Sequence, residues 1–456
     1  ERRAAQRIEA ELARSEAFST FARSLFTALE PSEARGADTE LLKRIVRGAE
    51  DRIDVELEQQ PAAASEMWST IAEVYRLLGD YADAERCFAN AIRAADAIGG
   101  DAGFEVVEQG RMNRALVLGQ TGRLEEAVAI VEPIVDARHD RLGAGHEATV
   151  ESEMNLAGLY RLVGRYAEAR DLLEEVVVWR KRTFGEQDSR TLSSINSLAV
   201  VSGALGETAR AIELLEEVLA IQLEVLGPDH VQTLGTLNNL AGSYQDLGDN
   251  EAAAVRLEQV LEIKRRIMEP DHPSLIITCV NLSASYLDLG RFEEADALLA
   301  EAMRIAEARL PPTHMHRLGT LNAIGRSYMR QGKPELAEPI VLEAATSFRE
   351  VFGARHPHTL SITSNLAAVR EELGKYELAL EDATYVRDTA REVLGPAHET
   401  VIGGVKTMAE ALIGLGRVDE ARALLTSMHD EAVAARGPED VQVRGLAEML
   451  AEMEAG

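Results

Sequence analysis

The sequence predicts an all-α chain, a solenoid of helical hairpins wound as a right-handed superhelix. Three observations predict it. A glycine recurs at Gly79, Gly122, Gly164, Gly206, Gly248, Gly290, Gly332, Gly374 and Gly416, first after 43 residues and then at every 42. An alanine stands five residues after each, at Ala84, Ala127, Ala169, Ala211, Ala253, Ala295, Ala337, Ala379 and Ala421. Seven residues before each glycine the side chain is small: Ala72, Ala115, Ala157, Ala199, Ala241, Ser283, Gly325, Ala367 and Ala409. A fixed period of this length marks stacked supersecondary units, each unable to bury its apolar face alone.

Composition supports the same class. Apolar residues make up 46% of the 456 and aromatics only 4%, which suits small-residue helix packing and not a β-sandwich. Lys plus Arg is 48 and Asp plus Glu is 77, for a net charge of −29. With no basic block, the chain is a poor match for a nucleic-acid backbone or an anionic membrane surface. Two distant cysteines, Cys87 and Cys279, exclude a disulfide scaffold and leave the compartment open. No run of 18 apolar residues offers a membrane span, and no signal peptide is seen. Because residue 1 is glutamate, the chain reads as a fragment or processed product, with any membrane anchor expected upstream.

Taken in order, residues 1–61 read as an N-terminal helical linker or cap, 62–436 as nine repeats and 437–456 as a C-terminal capping helix. Within a repeat the periodic glycine ends the first helix, since it enters the left-handed region without steric cost. The small positions fall where two antiparallel helices approach closely. A tyrosine four before the glycine (Tyr75, Tyr160, Tyr244, Tyr286, Tyr328) fills the space between them. Second helices follow directly, as in Tyr166 to Thr183 or Phe292 to Arg309. Pro133 and Pro339 fall inside two of them and are expected to kink or unwind them. The junctions are periodic too: Leu226-Gly227-Pro228-Asp229-His230, Phe352-Gly353-Ala354-Arg355-His356-Pro357 and Leu394-Gly395-Pro396-Ala397-His398. The longer first interval coincides with Ile98-Gly99-Gly100-Asp101, read as a longer loop between helices.

These residues resemble the tetratricopeptide repeat in its 42-residue form, the type found in kinesin light chains and many bacterial regulatory proteins. Gly227 to His230, Asn238-Asn239-Leu240-Ala241 and Tyr244 to Gly248 are close to a consensus copy. The resemblance spans about residues 62–436 and implies a generic surface for binding proteins or peptides. A second resemblance rests on Phe21 to Phe26, Glu30 to Gly36, Leu41-Leu42, Ala49 to Ile53 and Glu56 to Pro61. It is to the segment joining the membrane span to the repeats in bacterial transmembrane serine/threonine kinases, where a charged helix like Glu1 to Ala17 follows the span. That resemblance implies a sensor or interaction domain, extracytoplasmic if the kinase likeness holds and cytoplasmic otherwise. The other reading of the segment is an ordinary capping helix that shields the first repeat.

Motifs for chemistry are missing. There is no kinase catalytic motif, and Gly332-Lys333 and Gly374-Lys375 lack P-loop spacing. No catalytic residue, cofactor or metal site is therefore expected. His146, His230, His272, His314, His356 and His398 recur once per unit. Neighbouring helix axes lie roughly 8–10 Å apart, too far for one ion to gather them at the roughly 2.0–2.1 Å that zinc requires. These histidines read as turn residues that cap or pack. His314 and His316 form the nearest approach to a local pair. Cys279, beside Val280 and Leu282, reads as core. The glutamate pairs, such as Glu125-Glu126 and Glu216-Glu217, read as a solvated convex face. Arg180 to Arg182 and Lys264 to Arg266 share one phase near the C-termini of second helices; they complement the helix dipole or meet an acidic partner.

The candidate site is the concave face, lined by first helices. Asparagines recur there: Asn113, Asn155, Asn196, Asn238, Asn239, Asn281, Asn322 and Asn365, with Thr70, Ser197, Ala323 and Thr407 at matching positions. Asparagine is a mediocre helix former, but its amide donates and accepts at once. A row of them can hold an extended peptide backbone, and in the kinesin light chains the matching asparagines line the peptide groove. Alternatively they brace adjacent units. The expected partner is a protein or peptide in the groove. The other readings are a sensor or adaptor domain of an NTPase-type signalling receptor and a homo-oligomerisation scaffold.

Overall fold

The computed structural model describes residues 39–438 and 440–455. The kinase-like positions before Thr39, and the charged stretch Glu1 to Ala17, lie outside them. The described residues form twenty α-helices and no strand. After α1 (Thr39–Glu56) come nine antiparallel pairs: α2 (Pro61–Leu77) with α3 (Tyr81–Asp96), α4 (Gly100–Gln120) with α5 (Leu124–Leu142), α6 (Glu147–Leu162) with α7 (Tyr166–Phe184), α8 (Ser189–Ala204) with α9 (Thr208–Val225), α10 (Val231–Leu247) with α11 (Asn250–Ile267), α12 (Ser274–Asp288) with α13 (Phe292–Arg309), α14 (Met315–Arg330) with α15 (Pro334–Phe352), α16 (Pro357–Glu372) with α17 (Tyr376–Leu394), and α18 (Glu399–Gly414) with α19 (Val418–Arg436). Helix α20 (Val441–Ala455) follows. The chain divides into two compact units, residues 1–152 and 153–456.

The turn inside each hairpin is one construction repeated nine times. Gly248 sits at φ +83°, and the next amide, Asp249, donates back to the Tyr244 carbonyl at 2.9 Å. This satisfies a carbonyl that the helix end leaves without a partner. The same bond closes the other eight turns, from Asp80 to Tyr75 through Arg417 to Leu412.

The seam between the two helices of a hairpin explains the small residues. All nine alanines after the glycines are fully buried, as are the small residues seven before them. At Gly325 a Cβ would stand 2.1 Å from Cγ2 of Val341 on the partner helix. Tyr244 and Tyr286 lie along the seam with their rings packed on the core, and their hydroxyls donate to Glu216 (3.1 Å) and Glu258 (2.7 Å).

Pro133 and Pro339 do not interrupt their helices. Helices α5 and α15 continue through them. Both prolines are exposed, and so are Ala129 and Glu335 four residues earlier, whose carbonyls lose their donors. The freed carbonyls therefore face solvent and are not left buried without a partner.

The second unit folds back on itself. A Cβ at Gly164 would lie 3.1 Å from the Leu394 carbonyl oxygen and 3.2 Å from Cδ2 of His398. So the turn between α6 and α7 meets the junction between α17 and α18, and a 350 Å3 cavity lined by Tyr166, Pro396 and Arg436 lies between them.

Candidate functional site

The asparagines on the first helices of the second unit form short hydrogen-bonded chains from one first helix to the next. Asn239 donates from Nδ2 to Asn196 Oδ1 at 2.8 Å, and Asn196 donates to Thr236 Oγ1 at 2.9 Å. Asn281 donates to Asn238 at 3.1 Å and Asn365 to Asn322 at 3.0 Å. Each link joins one hairpin to the next. Asn155 is exposed and stands apart from these chains, and in the first unit Asn113 accepts from Gln109 at 3.1 Å. A primary amide has two N–H donors and one carbonyl oxygen. Asn239 commits one hydrogen to Asn196, which leaves its oxygen and second hydrogen for other work.

Two depressions adjoin these amides. One, of 440 Å3, is lined by Gly158, Arg161, Ser197, Val200, Asn196 and Asn239. The other, of 230 Å3, is lined by Asn238, Asn239, Gly242, Gln245, Asp246 and Asn281. They share Val200 and Asn239 in their linings. Gln245 bridges outward to Ser285 at 2.7 Å. Asp246 is the acidic group of this wall. Desolvation holds its carboxyl above the usual range, and Glu399, facing it from α18, pushes the same way.

Sequence reasoning missed the glycines here. Gly158 and Gly242 lie six residues before the periodic glycine, and Gly235, Gly319 and Gly403 lie thirteen before it. All five are inside helices, where glycine costs about 1 kcal/mol relative to alanine. A Cβ on any of them would meet nothing within 4 Å. Packing within the chain therefore gives no reason for them. The readable signal was a helix-weakening residue recurring at a fixed phase of the first helices.

The histidines are caps. In all six, Nδ1 accepts the backbone N–H two residues on, as from Gln232 to His230 at 3.2 Å. The rings of His314 and His316 lie 5.1 Å apart, and no group of three or more His, Cys, Asp or Glu among the described residues is placed to hold a metal. Cys279 is fully buried, and burial pushes its thiol up to about 12, so it is no nucleophile.

The cation clusters are occupied by the chain itself. Arg180 is only 4% exposed; it donates to the Arg190 carbonyl (2.9 Å) and to Ser194 Oγ (2.8 Å). Lys264, at the same phase, donates to the Ser274 carbonyl (3.0 Å) and to Thr278 Oγ1 (2.8 Å). Arg265 pairs with Glu301 and Arg266 with Asp229. Arg180 and Lys264 thus tie a second helix to the next first helix, and Arg265 and Arg266 are engaged in ion pairs within the chain.

Matches to the tetratricopeptide repeat family cover residues 108–178, 190–308 and 317–392, more than half of the chain. Related repeat profiles match residues 70–140 and 407–425. The chain belongs to the tetratricopeptide repeat family. No curated protein sequence matches it. Among solved structures it is similar to the nearly identical repeats of a Podosopora anserina kinesin light chain-type protein, at 30% identity over 44% of this chain and 95% of that one, TM-score 0.39. It is also similar to BtubC of P. vanneervenii, at 21% identity over 49% and 90%, TM-score 0.42. A third is a Rap protein complexed with Competence and Sporulation Factor, at 15% identity over 76% and 98%, TM-score 0.49.

Proposed function

We propose that this tetratricopeptide repeat chain is a non-catalytic scaffold that holds an extended segment of a partner protein or peptide against the wall from Asn196 to Asn281. The observation that carries this reading is the pairing of half-used amides with glycines that nothing in the chain requires. The amides offer donors and acceptors to a backbone. The glycines let that backbone come close. Bracing and binding are compatible, because the hairpin-to-hairpin bonds orient the amides and leave part of each one open.

The test uses a partner peptide first selected with the unaltered chain. Asn239→Ala with Asn281→Ala removes both the inter-hairpin bonds and the amide groups left for a ligand, each hydrogen bond worth about 0.5–1.5 kcal/mol, so affinity should fall about tenfold alongside a modest loss of melting temperature. A lowered melting temperature with unchanged affinity would assign these amides to bracing alone.

A finer reading rests on Phe21 to Gly36 and the positions up to Pro61. In it, the chain is the interaction or sensor domain of a bacterial membrane-anchored serine/threonine kinase. The sequence before Glu1 decides this: a kinase domain and a membrane helix support it, whereas a P-loop ATPase would replace it with the NTPase-receptor reading.

A further inference from the structure

Seven junctions between hairpins, and the one that leads into α20, carry one residue at a fixed position at the start of the next helix. Six are histidines: His146, His230, His272, His314, His356 and His398. Two are aspartates, Asp188 and Asp440. All eight do the same work. The histidine Nδ1 atoms accept backbone N–H groups at 3.1 to 3.2 Å. Asp188 accepts from Arg190 at 2.9 Å and Asp440 from Gln442 at 2.8 Å. The aspartates show what the position needs, which is an acceptor at the positive end of a helix.

An imidazole nitrogen accepts only while it carries no proton. We propose that the six histidines are a repeated acid-sensitive latch: protonated at Nδ1, each loses its cap bond and sets a positive charge against a helix N-terminus, so the junctions loosen together in mild acid. Asp188 and Asp440 stay latched there, because a carboxylate remains an acceptor down to about pH 4.

The charges around the histidines modulate this without replacing the lost bond. Asp229 beside His230 is taken by Arg266, and Asp271 beside His272 by Arg309. His314 faces His316, which in turn faces His358, so these rings oppose one another's protonation. His356 lies between Phe352 and His358, with neighbouring Arg355 paired to Glu392. His398 has Glu399 favouring the imidazolium and Arg436 opposing it. His146 shares a cavity with Glu105, Glu147, Glu151 and Arg138. Burial holds His314, His316, His358 and His398 below the usual imidazole range. The folded state then binds fewer protons than the unfolded one. Stability is complete above about 6.5, the unfolded value, and is lost as pH falls from there through the folded values.

The test compares the unaltered chain with a variant carrying His230→Asp, His272→Asp, His314→Asp and His356→Asp. Between about pH 7.5 and about pH 5.5 the melting temperature of the unaltered chain should fall by roughly 5 °C or more, and that of the variant by less than half as much. Equal losses would overturn the latch. If the fourfold variant does not fold, His230→Asp alone serves, read by hydrogen exchange at the Gln232 amide relative to the Arg190 amide. In the unaltered chain Gln232 should lose protection about tenfold more than Arg190 on acidification; in His230→Asp the ratio should stay constant. Nitrogen NMR gives a third arm: at about pH 7.5 the cap histidines must carry their proton on Nε2. A proton on Nδ1 there would also overturn the proposal.

Discussion

The seam inside each hairpin and the inner face of the first helices repeat at the same period, yet they obey different rules. At the seam every copy has the same answer: nine glycines at positive φ, nine buried alanines and nine small partners. On the face the answer varies, with asparagine giving way to Ser197, Ala323 or Thr407 at one position and glycine alternating with Val200, Arg326 or Glu410 at another. The seam is fixed by two backbones that must come within side-chain-free distance. On the proposed function, what the face must fit is not part of the chain, and periodicity separates positions that the fold dictates from positions left to a ligand.

The largest effect should come from violating the seam. Ala241 is fully buried against Ala253 and Leu257 in one core cluster. Ala241→Leu should cost about 1–3 kcal/mol by overpacking, measured by urea unfolding. No change in midpoint would mean that the seam tolerates extra volume and that the alanine period has some other cause.

A sharper version uses one residue type in both places. Gly325 lies on the seam and Gly242 on the face. Gly325→Ala would drive a methyl into Val341 and should destabilise by about 1–2 kcal/mol. Gly242→Ala meets nothing within 4 Å and should stabilise by about 0.5–1 kcal/mol through helix propensity. The same Gly242→Ala should weaken a groove-bound peptide, since the methyl enters the space left for it. If both substitutions destabilise, the distinction between seam and face fails.

The seam was legible in the sequence because glycine and alanine were forced there by distance, and a forced residue recurs. The hairpins, their order and the capping role of the histidines followed from that. Other features depended on information that no single repeat holds. The approach of Gly164 to Leu394 and His398 results from small rotations summed over five hairpins. The burial of Arg180 and Lys264 depended on where a long side chain ends, and a cation at a helix C-terminus reads equally well as solvated. Pro133 and Pro339 looked disruptive because their exposure, which lets water take the freed carbonyls, is set by how the helix is turned. The amide wall was half legible: the asparagines stood out, but the glycines beside them were hidden among a larger set with structural reasons.

The smallest predicted effect concerns the charge on the face. The Asp246 carboxyl is held above its usual range by desolvation and by Glu399. A group whose folded value lies above its unfolded one contributes stability that is full below the unfolded value, about 3.9, and lost as pH rises through the folded value. At neutral pH the ionised Asp246 therefore costs stability, though its exposure to solvent limits that cost to a few tenths of a kcal/mol. Asp246→Asn keeps the size and removes the charge. It should raise the melting temperature slightly at about pH 7 and leave it unchanged at about pH 3, where the carboxyl is already protonated. The seam's glycines and alanines offer no such trade, because they carry no titratable group. A stability gain of equal size at both pH values would show that the Asp246 effect is one of packing, and would place this stretch of the face under the seam's rules. If the gain vanishes in acid as expected, the charge is carried at a cost that folding does not require. A ligand with a cation at that point would then recover it, binding the unaltered chain more tightly than Asp246→Asn and losing that advantage as salt is raised.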